Sequence, residues 1–327
     1  DPRQRFALTA RACKKSKRNN SSAAKAISTA AIGRFAPSPT GRLHAGSLLA
    51  ALGSYVHAKH HAGQWLVRIE DLDPPRTEPD ASDNILQTLT QHGLHADGPV
   101  LFQSQRGEIY EAALEKLLSR DLIYPCRCSR TQLLEHANRH QYPTSRSLCT
   151  GQCHVQGATL SSPDTAWRLR TQHAGSIRFH DELRGPVESR LHDDVGDIVL
   201  KRRDGLYAYQ LAVVVDDAAC QITEVVRGAD LLDNTARQCW LMHCLELTRP
   251  SYLHLPLVTA ANGQKLSKQN HAPALNPKTS SANLWHALVA LGQRPEPALL
   301  KASPEEILLW ACANWQPKRI PLTDSLT

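Results

Sequence analysis

The pattern of apolar and polar positions predicts a strand, loop, helix and strand near the start of the folded part of the chain. Ile32–Ala36 is a short strand candidate, and the loop after it contains two prolines and a glycine. Residues 45–61 carry apolar side chains at helical spacing, and Trp65–Glu70 has the composition of a buried strand. This order predicts a βαβ unit, the unit with which parallel nucleotide-binding sheets begin, and therefore an α/β fold.

Further along the chain, helical periodicity alternates with short strand-like segments. Short alternating segments within 165–203, with the turn signal Arg203-Asp204-Gly205, predict hairpins. The stretch 126–160 is rich in Cys, Ser and His, has weak periodicity, and is predicted to be an insertion. Helices are predicted at about 80–92, 107–120, 211–219, 234–247, 283–292 and 304–312, with a further strand at 222–226.

The positive charge of the sequence is concentrated at its N-terminus. The formal net charge is +7, but residues 1–32 hold eight of the 38 Lys and Arg residues and one of the 31 acids, so the rest is formally neutral. Global charge therefore gives no argument that the folded part binds nucleic acid. Residues 1–31 lack apolar periodicity and are predicted to be a disordered basic tail. Their composition also resembles a transit peptide, and an added or wrongly assigned start is a further alternative.

Two absences bear on the compartment. The sequence has no run of about 18 apolar residues, so neither a membrane-spanning helix nor a membrane partner is expected. It has nine cysteines, an odd number, and no hydrophobic signal segment, which indicates a reducing, cytoplasmic environment.

The loop at residues 34–47 has features of a phosphate-binding turn. His44 and Gly46 fall where the next helix begins, and Ser47 lies just inside it. A helix N-terminus offers unpaired N–H groups to phosphate, glycine allows close approach to the backbone, and His44 can donate a hydrogen bond to a phosphoryl oxygen. From spacing alone, a proline-stiffened loop with a histidine at the helix start is an equally good interpretation.

Three other charged segments are weak indications of function when each is taken alone. Lys265 and Lys268 lie three residues apart after an Asn-Gly turn, where they could neutralise pyrophosphate, although such pairs are usually solvated. Residues 68–76 alternate in charge at the end of the second predicted strand, and 227–230 end another strand, where α/β folds place ligand contacts.

The loop at 34–47 and the lysine segment together resemble the two signatures of class I aminoacyl-tRNA synthetases, in the form typical of the glutamyl and glutaminyl subgroup. They lie about 220 residues apart, as the family requires, and Ser47 stands where the first signature has its second histidine. The resemblance covers about 32–312 and implies a Rossmann-type parallel sheet, ATP with Mg²⁺ as substrate, and His44 and Lys268 as catalytic residues. It implies ATP contacts from Pro37, His44, Gly46, Ser47, Lys265, Ser267 and Lys268.

The same resemblance implies a pocket for L-glutamate. Arg34 is expected to contact a carboxylate and Glu70 the ammonium group, with Tyr209 and Arg227 completing the pocket. Arg is favoured over Lys at such places because its guanidinium pairs with a carboxylate through two hydrogen bonds. The full implied set is Arg34, Phe35, Ala36, Pro37, Ser38, Glu70, Tyr209 and Arg227.

Four cysteines have the spacing of a metal site. Cys126 and Cys128 form one close pair, Cys149 and Cys153 a second, and 20 residues separate the pairs. Four thiolates suit a tetrahedral structural zinc, and such a closed site has no catalytic position. By resemblance, Cys149 stands where zinc-containing members of the subgroup carry a tyrosine. By spacing, Tyr142 and His154 are weaker candidate ligands.

The length of the chain after the lysine segment bears on which molecule is expected to accept the activated glutamate. About 60 residues follow Lys268, where glutamyl-tRNA synthetases carry an anticodon-binding domain. The segments Ile-Glu-Asp-Leu-Asp-Pro-Pro-Arg and Lys-Leu-Ser-Lys-Gln resemble truncated bacterial paralogues, which attach glutamate to the queuosine base in the anticodon loop of tRNA(Asp). A monomer is expected. The alternatives are a shortened enzyme that charges a tRNA 3′ end, a small-molecule adenylyltransferase, and an inactive zinc-containing RNA-binding protein.

The sequence patterns and the resemblance together predict a division of the chain into five parts. These are a disordered tail (1–31), the first half of the catalytic domain (32–125), a zinc-bearing acceptor-binding insertion (126–195), the second half of the catalytic domain (196–260), and the lysine loop with C-terminal helices (261–327).

Overall fold

The computed structural model describes residues 30–143, 146, 148–149, 157–258, 273–323 and 325–326 of the 327-residue chain. The helices in these ranges are α1 (Ala45–His60), α2 (Ala81–Gln91), α3 (Gly107–Ser119), α4 (Arg130–Arg139), α5 (Leu191–Asp194), α6 (Tyr209–Ala219), α7 (Leu232–Leu245), α8 (Ser280–Ala290) and α9 (Pro304–Asn314). The strands are β1 (Ile32–Phe35), β2 (Gln64–Ile69), β3 (Leu101–Phe102), β4 (Ile123–Cys126), β5 (Ala166–Leu169), β6 (Ile177–Asp181), β7 (Gly185–Ser189), β8 (Ile198–Lys201), β9 (Glu224–Gly228), β10 (Ser251–Leu255), β11 (Leu257–Val258) and β12 (Ser325–Leu326).

A seven-stranded sheet in the order β3-β2-β1-β9-β10-β6-β7 organises the molecule. All neighbours pair in parallel except β7, which forms an antiparallel hairpin with β6. The chain runs outward from β1 through β2 to β3, and later outward from β9 in the other direction. The order therefore reverses between β1 and β9, the place where open α/β sheets bind ligands at the carboxyl ends of their strands.

The predicted βαβ unit is confirmed. β1 pairs in parallel with β2, from Ile32 opposite Gln64 to Phe35 opposite Val67, and α1 connects them. Several elements were missed, among them the short strands β3, β4, β11 and β12. α4 lies within the predicted insertion and has few apolar positions, but Ser129 and Gln132 form a capping box, a start signal readable in the sequence. β10 was also missed.

Helices cover both faces of the sheet, so the central strands β9 and β10 bury side chains on both sides. Val226 and Leu253 belong to a core with α1, α2, α8 and α9. Their neighbours Val225 and Tyr252 belong to a second core with α3, α6 and α7. This division follows from the alternation of side chains along a strand. In the described part of the chain, no helix has the length and apolar character needed to cross a membrane.

A second sheet of three antiparallel strands, β4-β5-β8, carries the cysteine-rich segment. Strand pairing does not follow the predicted limits of the insertion, 126–195. β6 and β7 lie inside those limits but extend the main sheet, whereas β8 begins after residue 195 and belongs to the small sheet. The pairing partners lie far apart in sequence, so composition alone does not reveal them.

Candidate active site

A cavity of about 510 Å³ opens at the carboxyl ends of β1, β2 and β9, beside the point where the strand order reverses. Seven of the eight residues predicted for glutamate line it: Arg34, Phe35, Ala36, Ser38, Glu70, Tyr209 and Arg227. The eighth, Pro37, is buried beside it, and its carbonyl oxygen accepts a hydrogen bond from the N–H of Glu70 at 3.0 Å. The structure therefore brings this predicted set together, and the individual roles remain predictions.

A buried network of ion pairs fixes the floor of the cavity. Asp217 at the end of α6 accepts hydrogen bonds from Arg34 Nε at 3.2 Å and from Arg68 Nη1 at 2.6 Å. Arg68 Nη2 also donates to Glu70 Oε1 at 3.2 Å. All four side chains are less than one-tenth exposed, so these charges depend on one another rather than on water.

The neighbouring acid, Asp216, is fully buried and extends the network towards α3. It accepts hydrogen bonds from Gln103 Nε2 at 2.8 Å, Arg106 Nε at 2.5 Å and Tyr110 Oη at 2.7 Å. Asp216 and Asp217 thus hold side chains from several segments in one arrangement.

Burial and ion pairing shift the pKa values of Glu70 and Asp217 in opposite directions. Burial raises the pKa of Glu70 above its ordinary value, and the neighbouring Arg68 and Arg34 only partly offset this. Burial also acts to raise the pKa of Asp217, but the guanidinium groups of Arg34 and Arg68 outweigh it and hold that pKa below its usual range. Asp217 is therefore the ionised counter-ion of the two arginines. Glu70 is the carboxyl group whose ionised form a further cation would stabilise more.

Arg227 is a buried cation that lines the cavity and has an unused donor. Its Nε donates to His254 Nε2 at 3.1 Å, and its Nη2 donates to Thr235 Oγ1 at 2.8 Å. Its Nη1 is buried and has no hydrogen-bond partner among the described residues, although the side chain lines the cavity. A buried donor without an acceptor is unfavourable, so this nitrogen calls for an anionic or carbonyl oxygen from a ligand.

A second cavity of about 210 Å³ adjoins the first and is lined by His44, Gly46 and Ser47 of the predicted ATP set. The two cavities share Ala50, Gly228 and Asp230. A Cβ at Gly228 would lie 2.5 Å from Asp230 Oδ1, so only glycine fits at this junction without movement.

The helix N-terminus at this second cavity differs from the prediction. The backbone N–H groups of Gly46 and Ser47, predicted to be available to phosphate, both point at His44 Nδ1, at 3.1 and 3.4 Å. His44 is therefore the N-cap of α1. Because its Nδ1 accepts hydrogen bonds, the proton of the neutral ring lies on Nε2, where it can be donated.

The remaining predicted ATP residues, Lys265, Ser267 and Lys268, lie outside the described residues. The segment 259–272 that contains them follows β11, whose residues Leu257 and Val258 line the second cavity.

Three of the four predicted metal ligands come together. The sulfur atoms of Cys126, Cys128 and Cys149 lie within 4.8 Å of one another, and Cys128 Sγ is 3.7 Å from Cys149 Sγ. Two thiolates of a tetrahedral zinc site with bonds of about 2.3 Å are separated by about 3.8 Å, so the spacing fits zinc. Cys153 lies outside the described residues, as does His154, and the ring of Tyr142 contacts His140 and Arg146.

The sequence reasoning missed Arg68 as a partner within the site, and also Asp216 and Asp217. The signal available was weak. Asp216 and Asp217 end the apolar segment 211–215, where two adjacent acids are unusual unless they have buried partners.

Comparisons with known proteins agree with this architecture. Residues 31–282 match the family model for the catalytic domain of class I tRNA synthetases (E and Q). A protein of Thiobacillus denitrificans named glutamyl-Q tRNA(Asp) synthetase is 49% identical over 89% of this chain and 95% of its own length. A protein of the same name from Pseudomonas aeruginosa is 48% identical over 89% of this chain and 95% of its own length.

Solved structures show the same fold at lower sequence identity. A glutamate-tRNA synthetase from Elizabethkingia anophelis superposes with a TM-score of 0.74 at 23% identity, covering 91% of this chain and 68% of the other. A glutamate tRNA ligase from Elizabethkingia meningosepticum gives a TM-score of 0.71 at 23% identity, covering 89% of this chain and 66% of the other. The predicted fold class is thereby confirmed, and the chain belongs to the class I tRNA synthetase family of the E and Q type.

Proposed function

We propose that this enzyme uses ATP to activate L-glutamate as glutamyl-adenylate and transfers the glutamyl group to the queuosine base in the anticodon of tRNA(Asp). The observation that carries the first half of this proposal is the buried Arg227 Nη1, which has no partner among the described residues and belongs to a side chain lining the cavity. A substrate carboxylate would supply the missing acceptor.

The charges around the cavity favour the same substrate. The buried network contains three cations and three carboxylates: Arg34, Arg68, Arg106, Glu70, Asp216 and Asp217. The charged residues at the rim also cancel: Asp73, Asp230, Arg76 and Arg202. Among the residues that line the cavity, Arg34 and Glu70 also cancel, so Arg227 leaves a formal excess of one positive charge at its wall. The buried carboxylate of Asp181, which lies behind Arg227 on the far side of His254, is outside this count. Glutamate carries a net charge of −1 near neutral pH, so the pocket complements it.

Within the pocket, each part of glutamate has a group of suitable chemistry. Arg227, and Arg34 on the neighbouring strand β1, offer donors to the two carboxylates, and Glu70 offers an acceptor to the ammonium group. The positive charge of an ammonium group bound beside Glu70 would also offset the effect of burial, which raises the pKa of this carboxyl group.

The adjoining cavity is the proposed ATP site. A carboxylate oxygen of glutamate attacks the α-phosphorus of ATP, and pyrophosphate leaves with the electrons of the broken P–O bond. His44 Nε2–H can donate to a phosphoryl oxygen as negative charge develops there. Mg²⁺ bound with ATP would neutralise phosphate charge, and we propose the same role for Lys265 and Lys268.

The proposed acceptor follows from the names of the similar curated proteins, glutamyl-Q tRNA(Asp) synthetases. In the second step a hydroxyl group of the queuosine ring attacks the activated carbonyl carbon and AMP leaves. The anticodon loop presents unstacked bases, the form in which RNA is usually read by proteins. We further propose that the enzyme acts as a monomer in the cytoplasm, where ATP and tRNA are present.

Transfer of labelled glutamate tests this proposal. With ATP present, label is expected on tRNA(Asp) that contains queuosine and not on tRNA(Asp) with unmodified guanine at the same position. Label on tRNA(Glu) instead would make the chain a charging enzyme. No label on any tRNA would favour the inactive RNA-binding alternative.

We also propose that Cys126, Cys128, Cys149 and Cys153 hold one structural zinc ion. The mutual distances of the first three sulfur atoms support this, and a closed set of four thiolates would brace the segment next to β4 and α4 without a catalytic role.

The zinc proposal predicts a specific loss of metal. Purified protein is expected to contain about one zinc per chain, and Cys128→Ser to lose most of it and to unfold at lower temperature, because structural zinc contributes directly to folding. Cys312→Ser, which changes a half-buried thiol on α9, is the control and should keep its zinc. Equal zinc content in both variants, measured by elemental analysis, would contradict the assignment.

A further inference from the structure

We propose that Asp181 and His254 are positioning residues that orient Arg227, so that its Nη1 faces the substrate carboxylate. This inference rests on the proposed function, because it concerns the group to which Arg227 binds. His254 lies on β10 directly opposite Arg227 on β9, and Asp181 is the last residue of β6, the next strand. Three adjacent strands thus place three side chains in line.

Asp181 is held in one orientation by four donors. Its Oδ1 accepts hydrogen bonds from the N–H groups of Leu183 and Arg184, at 3.1 and 2.9 Å. Its Oδ2 accepts from the backbone N–H of His254 at 3.0 Å and lies 2.7 Å from His254 Nδ1. Asp181 is fully buried, so it has no water to turn towards. These bonds, led by that of His254, outweigh the effect of burial and lower the pKa of its carboxyl group.

This arrangement fixes the tautomer of His254. A carboxylate only accepts hydrogen bonds, so Nδ1 must carry a proton. In the neutral ring Nε2 is then an acceptor, and it lies 3.1 Å from Arg227 Nε, which only donates. A ring protonated on both nitrogens would instead point an N–H at the guanidinium. Burial keeps the pKa of His254 below its ordinary value; Asp181 opposes this, and Arg227 adds to it.

The donors of Arg227 can now be counted. Nε is used by His254, and Nη2 is used by Thr235 Oγ1 and, at 3.4 Å, by the carbonyl oxygen of Leu231. The guanidinium is planar and carries five N–H groups, so fixing Nε and Nη2 also fixes the direction of Nη1. Asp181 and His254 therefore act on the substrate through Arg227 and do not touch it.

Two substitutions at His254 separate orientation from packing. His254→Asn keeps an amide N–H near the place of Nδ1, facing Asp181, but offers no acceptor near the place of Nε2. His254→Gln can place its amide oxygen near the Nε2 position and accept from Arg227. We expect His254→Asn to raise the KM for glutamate about ten- to hundred-fold, as for the loss of a hydrogen bond to a charged group. His254→Gln should recover most of that loss, and the KM for ATP should not change in either variant.

The tautomer of His254 and the Asp181→Asn variant test the role of Asp181. With its oxygen held by the N–H groups of Leu183 and Arg184, the new amide would turn its own N–H groups towards the backbone N–H and Nδ1 of His254, from both of which Asp181 accepts hydrogen bonds. The ¹⁵N shifts of His254 in labelled protein should show Nδ1 protonated and Nε2 unprotonated in the wild type, and the KM for glutamate should rise in the variant because His254 is no longer held in place. A wild-type ring protonated on Nε2, or an unchanged KM for glutamate in Asp181→Asn, would overturn the role given to Asp181.

The outcomes distinguish the two proposals. A folded wild-type protein that forms no glutamyl-adenylate would overturn the proposed function. A wild-type protein that forms it, with a His254→Asn variant that keeps the wild-type KM for glutamate, would overturn only the positioning role. Equal losses in His254→Asn and His254→Gln would also overturn it, because they would indicate packing rather than the acceptor at Nε2.

Discussion

Replacing Arg227 with alanine is expected to lower kcat/KM for glutamate roughly thirty-fold to several thousand-fold. This corresponds to a loss of about 2–5 kcal/mol of transition-state stabilisation. The reason is that the substrate carboxylate would enter a buried site without its cation, and the charge excess of the pocket would disappear. The effect should fall on glutamate, with the KM for ATP nearly unchanged. Glutamate-dependent exchange between pyrophosphate and ATP measures it directly.

Two further variants control for this result. Arg227→Lys keeps the charge but not the planar pair of donors, so its loss should be substantial though smaller. Arg178→Ala removes a 76% exposed arginine from β6 and should leave both KM values unchanged. A wild-type kcat/KM for glutamate in Arg227→Ala would remove the main support for the glutamate pocket.

Asp217→Asn is expected to reduce the free energy of unfolding by about 3–5 kcal/mol, since it leaves two buried cations without their shared counter-ion. Arg34 and Arg68 both donate to this carboxylate, and all three side chains are nearly inaccessible. Urea unfolding at neutral pH measures the loss. Because Arg34 would also lose its orientation, the KM for glutamate should rise in the same variant.

The pH dependence of this effect has a definite sign. The pKa of Asp217 in the folded protein lies below its ordinary value of 3.8, so its stabilising contribution is present above that pH and disappears as the pH falls through the folded-state pKa. The difference between wild type and Asp217→Asn should therefore shrink in acid. Asp164→Asn, which removes an exposed ion pair with Arg203, is the matched control and should change stability far less. A difference that grew in acid would contradict the assignment.

Local patterns were sufficient to predict the first βαβ unit of the fold. The short strand at 32–36, the helical spacing at 45–61 and the buried strand at 65–70 each depend on neighbours in sequence, and the structure has these elements within one or two residues. The pairing of β6 with β10 depends on a contact across about 70 residues, which no local pattern encodes. For this reason the sheets divide the strands within 126–195 differently from the predicted insertion, whose limits stay a prediction.

The candidate site shows the same division. Arg34, Glu70, Tyr209 and Arg227 were predicted by resemblance, because each stands within or beside a recognisable motif. Their partners were not predicted. Asp217 lies 183 residues from Arg34 and 149 from Arg68, and such a network exists only after the sheet has formed.

His44 illustrates a different difficulty. The sequence correctly places it at the start of a helix, but two roles compete there, since the ring can cap the N–H groups or leave them to a ligand. The structure has it capping them through Nδ1. Sequence spacing cannot distinguish these roles because both require the same residue at the same position.

The two edges of the main sheet are poor templates for further strands. At one edge β3 is only two residues long. At the other, β7 contains Pro186, which has no N–H to offer an incoming strand, and Glu188, whose charge opposes stacking of identical edges. Exposed strand edges are a common route to aggregation, which these features disfavour. The hairpin of β6 and β7 thus protects the fold from joining to its own copies, and it does so on the strand whose last residue, Asp181, faces inward to His254.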